Sequence, residues 1–169
     1  MITDEAYLAY VDQALEAMCE LAGELGDELV CRRLDLPGAN SVYGLTVHCL
    51  GVADYWAGGL VGGRRIERDR DAEFRATGTV EDLRARVREG RAQLGLDIAA
   101  ADHAAPPRGD LSPDDLDLPP AVVTQGVVLV HVLEELYQHL GQMELIRDGL
   151  LALTRSAPPS RESGRLEEA

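Results

Sequence analysis

The chain has 169 residues, enough for one domain and short for two of ordinary size. Hydrophobic residues make up 46% and charged residues 27%, which argues against a disordered chain; aromatics are only 4%, so the core must be built from Leu, Val and Ala, and Ala and Leu favour helix. Thirty acidic residues against sixteen basic ones give a formal net charge of -14, a surface that repels phosphate backbones and anionic headgroups and argues against nucleic-acid or membrane partners.

The first helix is expected to start at Thr3 or Asp4 and to carry one apolar stripe through Tyr7, Leu8, Val11, Leu15, Met18, Leu21, Ala22 and Leu25. Gly26-Asp27 marks its expected end, and Pro37-Gly38 is the clearest turn after it. Asn40 or Ser41 can cap a second helix that runs to about Leu60. It is apolar nearly all round, with Asp54 as its only charge, so it belongs at the centre of a bundle. Gly62 to Arg75 reads as a charged connection. Thr79, followed by Glu81 and Asp82, starts a third helix whose buried stripe is Leu83, Val87, Leu94 and Ile98. Five prolines between Ala104 and Pro120 make that stretch a loop. The fourth helix follows Pro119-Pro120 and is expected to stop near Gly149. The expected organisation is an all-α four-helix bundle over residues 1–155 and a disordered tail over 156–169.

Smaller features narrow the chemistry. All sixteen basic residues are Arg, so no lysine is present for Schiff-base catalysis. The three cysteines, Cys19, Cys31 and Cys49, show no CxxC spacing and suggest neither a disulfide framework nor a thiolate zinc site. The N-terminal stretch lacks the basic and apolar regions of a signal peptide, and no apolar run approaches the roughly 20 residues of a membrane span, so a cytoplasmic location is expected.

Chemistry concentrates on the second and fourth helices. His131, Glu135 and His139 recur every four residues, leaving consecutive members about 40° apart in azimuth, and Gln142 extends the stripe. Glu135 and His139 at that spacing can reach one cation, although a solvated polar stripe has the same pattern. His48 lies among Leu45, Val52 and Tyr55 on the most apolar helix, where a buried imidazole needs a partner. A hydrogen-bonded core histidine is one solution. Joining the Glu135/His139 pair is another, and three ligands from two helices make a mononuclear site with a position left open. Paired E-x-x-H motifs of a di-iron bundle are missing. His131 is a candidate for orienting Glu135, and Tyr55 and Gln142 are candidates for lining the cavity. Cys49 points about 100° away from His48. The cluster Arg64, Arg65, Arg68 and Arg70 reads as a solvated loop or a carboxylate-binding patch.

The strings Leu45-Thr-Val-His48-Cys-Leu-Gly-Val-Ala-Asp-Tyr-Trp56 and His131-Val-Leu-Glu-Glu135-Leu-Tyr-Gln-His139-Leu-Gly-Gln142 resemble the DinB-like superfamily of metal-binding four-helix bundles. The branch most similar contains the mycothiol-dependent maleylpyruvate isomerase and the mycothiol S-transferases. The resemblance spans about residues 5 to 150. It implies a bundle with long connections and a divalent metal, usually zinc, held by His48, Glu135 and His139; the same donors also suit nickel or iron. Many members carry His at the position of Glu135, whereas the isomerase-like branch has Glu there as this chain does. The implied function is an enzyme that activates a low-molecular-weight thiol, mycothiol, for transfer to an electrophilic small molecule or for thiol-assisted isomerisation, as a monomer or homodimer. The competing expectation is a non-catalytic metal-containing protein that binds small molecules or serves a stress response.

Overall fold

A computed structural model of the chain describes residues 3–109 and 118–156. Helix α1 (Asp4–Leu29) begins where Thr3 accepts from the Ala6 N–H at 3.2 Å, and it buries the expected stripe from Tyr7 to Leu25, with Leu8 only partly covered. Gly26, at φ 62°, breaks the regular path at the expected end, and one further turn carries the chain to Leu29. Ser41 caps α2 (Val42–Ala53) by accepting from Gly44 N–H at 3.0 Å. Without a break the helix then widens into a π-helical stretch, Asp54–Val61, so the helical path ends close to the expected Leu60.

The charged connection contains a helix that the sequence pattern does not announce. Helix α3 (Arg70–Arg75) has six residues, too few for a periodic stripe, and is capped by Asp69 accepting from Ala72 N–H at 2.9 Å. Helix α4 (Val80–Ala99) starts at Thr79 with a full capping box: Asp82 N–H donates to Thr79 Oγ1, and Thr79 N–H donates back to Asp82 Oδ2. Leu83, Val87, Leu94 and Ile98 are all buried. Residues 104–109 form no helix, and the rest of the expected proline-rich loop to residue 117 lies outside the described residues.

Helix α5 (Gln125–Ser156) corrects the fourth helix at both ends. It starts five residues beyond Pro120, after a short 3-10 turn at Pro120–Val122, and it runs through Gly149 instead of stopping there. Gly149 does not have the positive φ of a C-terminal glycine. A Cβ at this position would lie 2.9 Å from Leu34 Cδ2, so the missing side chain admits Leu34, while buried Ile146 and Leu150 continue the apolar stripe on either side. Ser156, expected to open the tail, is the last helical residue, and residues 157–169 lie outside the described residues.

The four long helices pack in a ring in which α1 neighbours α4 and α5, and α2 neighbours the same two from the opposite corner. One apolar core draws on all four. Among the described residues there is no strand, and no helix is long and apolar enough to cross a membrane. The expected all-α bundle is the observed architecture, with α3 added.

Candidate metal centre

Because α2 and α5 are neighbours in the ring, their polar residues can meet inside it. His48 projects from α2 and is only 2% exposed. Glu135 and His139 lie one turn apart on α5 and are half-buried. The three offer one ligand atom each, all within 4.8 Å of one another. Glu135 Oε2 is 3.3 Å from His139 Nε2 and 3.6 Å from His48 Nε2. The two imidazoles meet edge to face, with centroids 4.9 Å apart.

The far side of each ring is held. His48 Nδ1–H donates to Glu73 Oε2 at 2.8 Å, and His139 Nδ1–H donates to Gln142 Oε1 at 3.0 Å. With both Nδ1 atoms used as donors, both Nε2 lone pairs face the Glu135 carboxylate. Three electron-rich atoms turned toward one point are a cation site in chemical character: a proton, or a metal of suitable size, relieves their repulsion. A proton on an Nε2 atom turns that imidazole from an opposing acceptor into a donor to Glu135. The His139 imidazole first, and that of His48 second, hold the Glu135 carboxyl well below the usual carboxylate range, against the opposing effect of burial. Glu135 in turn raises the His139 pKa, again against burial. The donor set and its outer supports therefore fit a divalent cation.

The other candidates take different places. Gln142 is the acceptor that orients His139. His131 Nε2 is 4.0 Å from Glu135 Oε1, too far for a hydrogen bond; its Nδ1 pairs with Glu134 at 3.2 Å, and its ring packs edge-on to Trp56 with centroids 4.5 Å apart. Tyr55 is partly buried, edge-on to Trp56, with the Arg68 guanidinium 5.7 Å from its ring centroid. Cys49 is fully buried in the core, and burial pushes its thiol pKa up. His103 pairs with Asp4 at 2.6 Å.

The arginine cluster divides by partner. Arg64 binds Asp97 at 2.9 Å and also Asp54, tying the start of the chain's charged connection to the π-helical stretch and to α4. Arg65 is exposed beside Glu67. Arg68 makes a two-pronged contact with Glu73, Nε to Oε1 at 2.7 Å and Nη2 to Oε2 at 2.9 Å. Arg70 lies over the Phe74 ring at 5.1 Å, and Phe74 stacks on His48 with centroids 4.2 Å apart. Glu73 and Phe74 were not legible as site residues: both come from α3, and no helical spacing relates them to His48. A cavity of about 310 Å3 opens between α2 and α4 with Glu73 in its wall, and its lining includes none of His48, Glu135 and His139.

No curated protein matches the chain. Residues 5–151 match the family model described as Mycothiol-S-transferase, and this stretch contains the whole candidate metal centre, all of α2 and α5 as far as Leu151. The chain belongs to the mycothiol S-transferase family.

Proposed function

We propose that the chain is a metal-dependent enzyme that activates mycothiol, or a related low-molecular-weight thiol, for attack on an electrophilic small molecule. The observation that carries this reading is the Glu135 carboxylate oxygen lying 3.3 and 3.6 Å from two imidazole Nε2 atoms whose opposite nitrogens are held elsewhere. His48 Nε2, Glu135 and His139 Nε2 would hold the cation, zinc being the first choice and iron or nickel compatible with the same donors. When bound, a divalent cation favours the thiolate over the thiol, whose free pKa of about 8.5 leaves it mostly protonated at neutral pH.

The chain's own residues then have assignable tasks. Three protein ligands leave room for a fourth group, the arrangement of catalytic rather than structural sites. Gln142 and Glu73 keep the imidazoles in one orientation. None of the three cysteines is among the candidate ligands, and the one adjacent to His48 is buried with a raised pKa, so the reacting sulfur comes from a cosubstrate. With an epoxide as the electrophile, the sulfur forms a bond to carbon, the C–O bond breaks, the thiol proton leaves to solvent and the alkoxide takes up a proton from it. Holding both reactants in one site removes part of the entropic cost of their encounter.

The test supplies mycothiol and other cellular thiols with epoxides, alkyl halides and unsaturated acids, and follows thiol consumption before and after metal removal. Consumption that requires metal, and returns when metal is restored, is expected. Unchanged consumption by metal-free protein would overturn the mechanism, and none by metal-loaded protein across the panel would favour a binding protein without turnover.

A further inference from the structure

The two imidazoles of the metal centre are supported unequally. His139 leans on a neutral amide, Gln142, whereas His48 leans on a carboxylate, Glu73, at 2.8 Å. Burying a carboxylate is costly unless it is paired. Glu73 is 9% exposed and receives both prongs of the Arg68 guanidinium while still accepting from His48. Space for it has been cleared in α2: a Cβ at Gly51, three residues after His48, would lie 2.1 Å from Glu73 Oε1. Phe74, the next residue, covers a face of the same imidazole, its ring inclined by 26°. Arg68, Glu73 and Phe74 thus converge on the His48 imidazole from a connection and a six-residue helix that bury little else in the core, and Gly51 of α2 leaves room for Glu73.

Resting on the metal-centre reading above, we propose that Glu73, clamped by Arg68, is a positioning residue of that centre. It holds the proton of His48 on Nδ1, so that Nε2 is the ligating atom, and its negative charge makes that nitrogen a stronger donor. A neutral histidine has one N–H and one lone pair, so fixing the first atom fixes the second. Arg68 serves by keeping the carboxylate in place through its two-pronged contact, and Tyr55 beneath the guanidinium helps to locate Arg68. The proposal predicts that the two ligands differ in sensitivity: loss of Glu73 weakens the metal centre more than loss of Gln142.

The experiment measures zinc affinity by chelator competition, and the visible spectrum of the cobalt-substituted protein, for wild type, Glu73→Gln, Glu73→Ala, Arg68→Ala, the Glu73→Ala/Arg68→Ala double variant and Gln142→Ala. Loss of an outer support of this kind typically costs 10- to 100-fold in affinity. Glu73→Ala is expected to fall in that range with an altered cobalt spectrum. Glu73→Gln, which preserves shape and can still accept from Nδ1–H, should fall between it and wild type. Arg68→Ala should weaken binding in the wild-type background and add little once Glu73 is gone. Arg91→Ala, which removes an ion pair with Asp12 between α4 and α1, reports what loss of a salt bridge outside the site does to affinity. Wild-type zinc affinity and cobalt spectrum in both folded Glu73 variants would overturn the proposal. So would a Glu73→Ala loss no larger than that of Arg91→Ala. A wild-type protein that binds no zinc would overturn the metal-centre reading itself, a separate outcome.

Discussion

Glu135 is the residue around which the site's charge is arranged, since both imidazole Nε2 atoms face its carboxylate. Its pairing with His139 was legible because an i, i+4 spacing is a geometric statement about a helix. His48 was conspicuous as a lone imidazole on an apolar helix. Glu73 was not legible, because its bond to His48 joins residues 25 apart across a connection with no pattern of its own. Gly51 records that bond indirectly. Gly51→Ala would drive a methyl group into the Glu73 carboxylate, and zinc affinity should fall by roughly 10-fold or more without any change to a ligand. An unaltered affinity in chelator competition would mean that Glu73 can move without consequence. Cys49 allows another check at this scale. Its thiol is buried with a raised pKa, and thiolate is the reactive form. Brief alkylation of native protein at neutral pH should therefore leave Cys49 unmodified by mass spectrometry, with labelling appearing only in denaturant. Native labelling at the denatured rate would contradict the packing described.

Three of the four expected helix starts were legible in the sequence, and that of α5 was not. Thr3, Ser41 and Thr79 each accept a backbone N–H at an N-terminus, and that capping chemistry is local in sequence. Ends depend on what the helix meets. Gly26 interrupts α1 by adopting positive φ, whereas Gly149 stays helical and makes room for Leu34, a distinction invisible until the two segments are packed. The capping box of α4 offers a measurement on an exposed terminus. Thr79→Ala should cost about 1 kcal/mol and lower Tm by roughly 2–4 °C, with zinc binding unchanged. Asp82 also belongs to the cap, and its bonds from the Thr79 backbone N–H and side chain hold its carboxyl below the usual value. A depressed folded pKa stabilises above the unfolded value and is lost as pH falls through and below 3.8. The difference between wild type and Thr79→Ala in denaturant unfolding should accordingly narrow in acid. A penalty independent of pH would remove the Thr79 hydroxyl from the causes of that shift, leaving the backbone N–H alone.

At the scale of the molecule, the ring order of the helices makes the site possible. His48 and the Glu135/His139 pair come from α2 and α5, which are neighbours; had α2 faced α5 across the diagonal, the same residues would have been too far apart to share a cation. Apolar spacing in the sequence implied four helices and the proline-rich break before the last one, but which helices adjoin is a consequence of how their stripes pack. The net charge of -14 gives the molecule a field that favours the approach of cations over anions. The most direct test is metal stoichiometry by elemental mass spectrometry on purified wild type and on His48→Ala, Glu135→Ala, His139→Ala and His131→Ala, each shown to be folded by circular dichroism. One divalent metal per chain is predicted for wild type and for His131→Ala, and a small fraction of that for the other three. A metal-free wild type that takes up none on addition, or full stoichiometry in the three ligand variants, would contradict the account.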